Sequence, residues 1–120
     1  MLLAIDTSTQ TSGIALYDEF VLIGEMIWRT ASHHTVELAP AVQDLMNRCM
    51  VSPAELKAVA VALGPGSFTS LRIGLALAKG LALSLNIPLL GIPTFEFQAA
   101  QQPLAAEPLL TVLPAGRSRL

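Results

Sequence analysis

The chain has 120 residues, a length that allows one small domain. Hydrophobic residues make up 52% of it and charged residues only 13%, which excludes an intrinsically disordered chain. The net charge of −2 and the aromatic content of 5% provide neither a basic surface for phosphate backbones nor enough rings for base stacking. We therefore expect a folded domain that leaves some apolar surface for a partner or for a further piece of chain.

The cysteine, histidine and charge patterns exclude further classes. The single cysteine, Cys49, rules out a disulfide framework, and together with His33 and His34 it makes no zinc-binding spacing. No basic stretch precedes Asp6, and the longest charge-free run, 80–95, is interrupted by asparagine and proline. We therefore expect no signal peptide, no membrane span and no metal, and a cytoplasmic location.

Hydrophobic periodicity and turn residues predict nine elements along the chain. The first three strands form an antiparallel meander, whereas the stretch 58–63 lacks polar residues and predicts a central parallel strand buried on both faces. The predicted strands are 2–5, 12–17, 21–28, 58–63, 88–92 and 109–114, and the predicted helices are 35–50, 68–85 and 94–102. The order β-β-β-α-β-α-β-α-β indicates an α/β fold with a mixed sheet. Residues 1–106 are assigned to a first subdomain and 107–120 to the start of a second.

A carboxylate and two hydroxyls follow the first strand. Asp6, Thr7 and Ser8 could hold a metal-bound water and, together with turn amides, a phosphate group. The side-chain hydrogen bonding of an ordinary polar turn explains the same residues equally well. Both interpretations stay open from the sequence.

A glycine-rich turn, Gly64-Pro65-Gly66-Ser67, joins a buried strand to a helix that Ser67 can cap. Its glycines and the free amides of the helix start suit an anion. It lacks the Gly-Lys-Ser/Thr of a phosphate-binding Walker loop and the Gly-x-Ser-x-Gly of a nucleophile elbow. A tight strand-to-helix turn is therefore the other interpretation.

The helix predicted at 68–85 is apolar over a wider arc than packing on a sheet requires. Its only charges are Arg72 and Lys79, and its small residues recur every four positions. Those small residues are Ser70, Gly74, Ala78 and Ala82. A separate protein partner, or a further part of the same chain, would cover the extra apolar surface.

Taken together, these motifs resemble the TsaB (YeaZ) family over essentially the whole chain. The resemblance rests on the segments 4–8, 64–74, 78–82 and 87–94, which read Ala-Ile-Asp-Thr-Ser, Gly-Pro-Gly-Ser-Phe-Thr-Ser-Leu-Arg-Ile-Gly, Ala-Lys-Gly-Leu-Ala and Ile-Pro-Leu-Leu-Gly-Ile-Pro-Thr. Ser70 stands where the family usually has glycine.

The resemblance implies a ribonuclease-H-like half of the actin, sugar-kinase and heat-shock-ATPase superfamily. It also implies a non-catalytic partner of a TsaD-like transferase, which makes threonylcarbamoyladenosine next to the anticodon of tRNA, with a TsaE-like ATPase joining the complex. Family members pair through the two helices of the first half, with TsaD or with themselves, so the isolated chain is expected to form a homodimer. Contact with tRNA is expected to be indirect.

Several residue assignments follow from this resemblance. The two metal-binding histidines of the catalytic paralogue appear as Thr94 and Gln98, so the chain is expected not to be an enzyme. Asp6, Thr7 and Ser8 would be a remnant phosphate loop, with ATP or ADP bound only in the full-length protein or the complex. An ATP-dependent phosphotransferase of the sugar-kinase type is the alternative. The positions assigned to the partner interface are Leu38, Val42, Leu45, Met46, Ser70, Ile73, Gly74, Leu77, Ala78 and Leu81.

Overall fold

Five strands form a single sheet in the order β3-β2-β1-β4-β5. The computed structural model describes residues 1–29, 34–66 and 68–93. The strands are β1 (Leu2–Asp6), β2 (Thr11–Asp18), β3 (Val21–Arg29), β4 (Ala58–Gly64) and β5 (Leu89–Pro93). The helices are α1 (His34–Arg48) and α2 (Phe68–Leu85), with a short 3₁₀ helix at Pro53–Glu55.

The strand directions follow from the lengths of the connections. Strands β1, β2 and β3 pair antiparallel, whereas β4 pairs parallel with both β1 and β5. Short turns join the antiparallel strands, and Glu19 takes the left-handed conformation (φ 56°) that the β2–β3 turn requires. The parallel strand β5 follows a crossover that contains α2, as parallel pairing demands.

The core lies between one face of the sheet and the two helices. Alternate residues of each inner strand point to this face, and Leu3 lies beside Leu16 on β2 and Val59 on β4. Helix α1 adds the apolar face that its 3.6-residue period predicts. The buried core residues are Leu3, Ile5, Ile14, Leu16, Leu38, Val42, Leu45, Met46, Val51, Leu56, Val59, Val61 and Ala78.

Two contacts fix α1 on the outer strand β3. The indole Nε1 of Trp28 donates a hydrogen bond to Oε2 of Glu37 at 3.2 Å. Gly24 lies so close to α1 that a Cβ placed there would stand 2.6 Å from the Sγ of Cys49. The absence of a side chain at Gly24 therefore sets how closely the end of α1 approaches the sheet.

The opposite face of the sheet carries small side chains. Ala4, Ala15, Ala60 and Ala62 line an open groove of about 260 Å³, which Tyr17, Glu25 and Ile27 border. Among the described residues, no helix covers this face. Both helices lie on the other side of the sheet.

The predicted elements are confirmed from β1 to β5, each within two residues of its predicted ends. The helix predicted at 94–102, the strand at 109–114 and the boundary between residues 106 and 107 lie outside the described residues.

Candidate functional site

In the polar turn after β1, the hydroxyls of Thr7 and Ser8 both form hydrogen bonds within the chain. The amide and the hydroxyl of Ser8 both donate to Oδ1 of Asp6, at 2.9 and 2.6 Å. The hydroxyl of Thr7 donates to the carbonyl oxygen of Ser70 in α2 at 2.7 Å. Thr7 and Ser8 are both buried. This geometry is that of the polar-turn interpretation, and it ties the end of β1 to the start of α2.

The Gly64–Gly66 turn packs directly on that polar turn. A Cβ at Gly66 would collide with the carbonyl oxygen of Ser8. Gly64 has φ +105°, a conformation that disfavours other residues, and a Cβ there would stand 2.9 Å from Leu71 Cδ1. The two glycines therefore allow the β4–α2 connection to close against β1, which supports the tight-turn interpretation.

The predicted nucleotide residues are thus brought together, but their hydroxyls are engaged within the chain. Nucleotide binding by Asp6, Thr7 and Ser8 stays a prediction. In the part of the chain that the structure describes, no group of three or more histidine, cysteine, aspartate or glutamate side chains could hold a metal ion. Thr94 and Gln98, at the positions compared with the paralogue's metal ligands, lie outside that part.

Three of the small α2 residues assigned to the interface are buried within this chain. Ser70, Gly74 and Ala78 are buried against this chain's own sheet. A Cβ at Gly74 would collide with the Oγ1 of Thr7. These residues therefore provide close packing between α2 and β1 and are not available to a partner. A bulky substitution at Gly74 tests the fold and not the docking of a second molecule.

The same burial applies to α1. Its four assigned interface residues are all in the core, with the side chain of Leu38 only 1% exposed. These are Leu38, Val42, Leu45 and Met46. Their periodicity indicated an apolar face, and the chain's own sheet is what covers it. The remaining assigned residues, Ile73, Leu77 and Leu81, are partly buried against the core, and their place in an interface stays a prediction.

The exposed side of α2 carries a line of residues of which the sequence had pointed only to Arg72 and Lys79. We call it the α2 stripe, and it consists of Phe68, Arg72, Ala76, Lys79 and Leu83. Phe68 is 73% exposed and Leu83 is 85% exposed. The Arg72 guanidinium lies over the Phe68 ring, 5.4 Å from its centroid. The helical period of the sequence could have located this exposed line, because its residues lie on the helix face opposite the small ones.

Length and composition also qualify α2 as a possible membrane span, and it is the one such helix within the described ranges. Its contacts account for part of that apolar character. The Ser70–Ala82 side packs on the sheet and Thr7 bonds to its backbone, as in a core helix. The apolar residues of the α2 stripe are what this packing leaves uncovered.

Comparison with known sequences finds relatives that belong to threonylcarbamoyladenosine-related families. A profile for the family described as TsaD, tRNA N6-adenosine threonylcarbamoyltransferase, matches residues 28–120. The tRNA threonylcarbamoyladenosine biosynthesis protein TsaB of Bacillus subtilis (strain 168) is 48% identical over 99 residues, covering 82% of this chain and 43% of that protein. TsaB of Escherichia coli (strain K12) is 37% identical over 93 residues, covering 78% and 40%. The chain therefore spans less than half the length of these curated relatives.

Comparison with solved structures identifies proteins of similar fold. YeaZ from Pseudomonas aeruginosa superposes with a TM-score of 0.79 at 33% identity, covering 83% of this chain and 46% of that one. RuvC of Thermus thermophilus in complex with a Holliday junction substrate has a TM-score of 0.57 at 14% identity, covering 82% and 68%. The second likeness concerns the fold alone. The predicted ribonuclease-H-like α/β class is confirmed.

Proposed function

Because the chain belongs to the TsaB (YeaZ) family, we propose that it acts in threonylcarbamoyladenosine modification of tRNA by docking on a TsaD-like transferase. In this role the chain is a non-catalytic, cytoplasmic partner. The modified adenosine lies next to the anticodon, a TsaE-like ATPase joins through the complex, and contact with tRNA is indirect. In isolation the chain forms a homodimer.

The observation that carries the proposal is the α2 stripe. A helix that covers a sheet normally turns its polar side to solvent, yet this one presents Phe68 and Leu83 there. Phe68 and Leu83 lie at the two ends of this face, so a partner helix that runs along α2 would cover both. At 18 residues, α2 is about 27 Å long. A helix of that length can form much of the roughly 800 Å² per side that a stable interface buries.

The turn after β1 supports docking over the phosphotransferase alternative. A phosphate loop needs donors that are directed at the ligand. Here the Ser8 amide and hydroxyl are directed at Asp6, and the Thr7 hydroxyl is directed at α2. The hydroxyls of Thr7 and Ser8 therefore have partners within the chain without a nucleotide.

The first test measures binding to the TsaD-family protein of the same source by calorimetry. Phe68→Asp and Leu83→Asp are each expected to weaken binding at least about tenfold, because a carboxylate replaces a desolvated apolar contact. Phe20→Asp is the matched control, since Phe20 is 99% exposed in the β2–β3 turn, away from α2. Its affinity should equal that of the unsubstituted chain.

The second test is the modification reaction itself, run with and without this chain. We expect the chain to stimulate the reaction and the Leu83→Asp variant to fail. Equal binding by all three variants would contradict docking through α2. Saturable ATP turnover by the purified chain, lost in Asp6→Ala, would favour the phosphotransferase instead.

A further inference from the structure

Four residues of the α2 stripe, together with the neighbouring Thr69, form a seam with the spacing of helices that pack side by side. Thr69, Arg72, Ala76, Lys79 and Leu83 follow one another at intervals of three and four residues, and all are exposed. This spacing keeps one line of side chains facing a second helix. Beside the seam, a Cβ at Gly80 would have no atom within 4 Å, so a second helix has room to approach closely. Two of the five seam positions are cationic.

A second copy of this chain fits the seam poorly on charge. In a parallel pair of α2 helices each cation faces its own counterpart. In an antiparallel pair centred on Ala76, Arg72 of one copy faces Lys79 of the other. Both arrangements place like charges together, and α2 contains no acidic residue to separate them. The chain is net acidic, but its α2 helix carries only positive charge.

The neighbouring helix α1 does not offer spare acidic groups. Its two carboxylates have partners within the chain: Oε2 of Glu37 accepts from Trp28, and Oδ2 of Asp44 accepts from Nε of Arg48 at 3.0 Å. If a second copy used either of these carboxylates to neutralise Arg72 or Lys79, the existing contact would compete for the same group, at a small cost. A helix from another protein with carboxylates at the facing positions meets no such cost.

We propose that Arg72 and Lys79 make the α2 stripe selective for a different protein, one whose facing helix carries acidic residues opposite these two cations, over a second copy of this chain. The inference rests on the proposed function, because it names the chemistry of the surface that the partner presents. Phe68 positions Arg72 at one end of the seam through the cation–ring contact. Homodimers through α2 form, but as the weaker assembly.

Salt distinguishes the two assemblies by the sign of its effect. Raising NaCl from about 0.05 M to about 0.5 M screens exposed charges. Binding to the TsaD-family protein, measured by calorimetry, should weaken roughly tenfold, since attraction is screened. Self-association, measured by sedimentation equilibrium, should strengthen, because repulsion is screened.

Charge reversal provides the matched variants. Arg72→Glu and Lys79→Glu should each weaken binding to the partner roughly tenfold. Lys57→Glu is the control, because it makes the same change in net charge at an exposed position away from α2. Arg72→Glu alone should also strengthen self-association, since in the antiparallel pair its new carboxylate lies opposite Lys79 of the second copy. Circular dichroism checks that each variant folds.

The outcomes separate this inference from the proposed function. If the unsubstituted chain fails to bind the TsaD-family protein, the proposed function fails, and the self-association measurements still decide the inference because they need no partner. If the chain binds but neither salt nor charge reversal alters its affinity, the inference is overturned and docking stands. Self-association that weakens with salt also overturns it.

Discussion

The contact between Gly74 and Thr7 shows how a single atom sets the distance between helix and sheet. The Thr7 hydroxyl is held by its bond to the carbonyl oxygen of Ser70, one turn earlier in α2. It therefore cannot rotate away without leaving that bond. Gly74 is the residue that makes room for it. Glycine lowers helix propensity, but at this position a larger residue would collide with the strand.

Gly74→Ala and Gly80→Ala are expected to change stability in opposite directions. The first introduces a Cβ that collides with Thr7 and should lower the free energy of unfolding by about 1–3 kcal/mol. The second meets open space and should raise it by about 0.5–1 kcal/mol, the ordinary gain of alanine over glycine in a helix. Urea unfolding of both variants measures the difference.

A double-mutant cycle checks the cause. In a Thr7→Ala background the colliding oxygen is gone, so Gly74→Ala should cost about 1 kcal/mol less than it does in the original chain. An unchanged cost would mean that Thr7 is not what restricts this position.

Helix α1 separates into a core face and a solvent face that should respond differently to truncation. Leu38 lies in the core at 1% exposure, whereas Val36, two residues earlier, is 69% exposed. We expect Leu38→Ala to lower the free energy of unfolding by about 2–5 kcal/mol and Val36→Ala to change it by less than about 0.5 kcal/mol. Chemical denaturation checks both, and similar losses for the two would place α1 in a different rotation on the sheet.

The two helices also show what periodicity can and cannot assign. It located both elements and separated their faces correctly, because side chains three and four residues apart must share a side. It did not identify which neighbour packs against those faces. Small residues such as Gly74 and Ala78 permit close approach by a partner helix or by the chain's own strand, and the spacing is the same in both cases. Folding against β1 decided between them.

The molecule as a whole should exchange its amide hydrogens from the outside of the sheet inward. Strand β1 is paired on both sides, and its core-facing residues Leu3 and Ile5 are buried, whereas β3 and β5 are each paired on one side only among the described strands. Amides of β1 are therefore expected to exchange most slowly and those of β3 and β5 fastest. Hydrogen exchange followed by NMR measures this order. Protection of β3 equal to that of β1 would indicate that another strand covers the β3 edge.

The two sides of the α/β layer face different environments in the described part of the chain. One side of the sheet is closed by α1 and α2, and the other is the groove lined by small residues such as Ala15 and Ala60. The α2 stripe lies on the side of α2 that faces away from the sheet, and it is exposed. The core and the α2 stripe therefore lie on opposite faces of the same helix, which explains why an 18-residue helix can be apolar over most of its circumference.

In the described part of the chain, the amino-acid order was enough to predict the strands and the two α-helices, with bounds to within two residues, and the mixed sheet. It was also enough to predict the family. These properties depend on local periodicity, turn residues and short motifs, all of which lie within one stretch of chain. Which side of α2 meets the sheet, and where the Thr7 hydroxyl points, depended on contacts between residues more than sixty positions apart. Such contacts arise only when β1, β4 and α2 pack together, because burial depends on neighbours that local spacing does not specify.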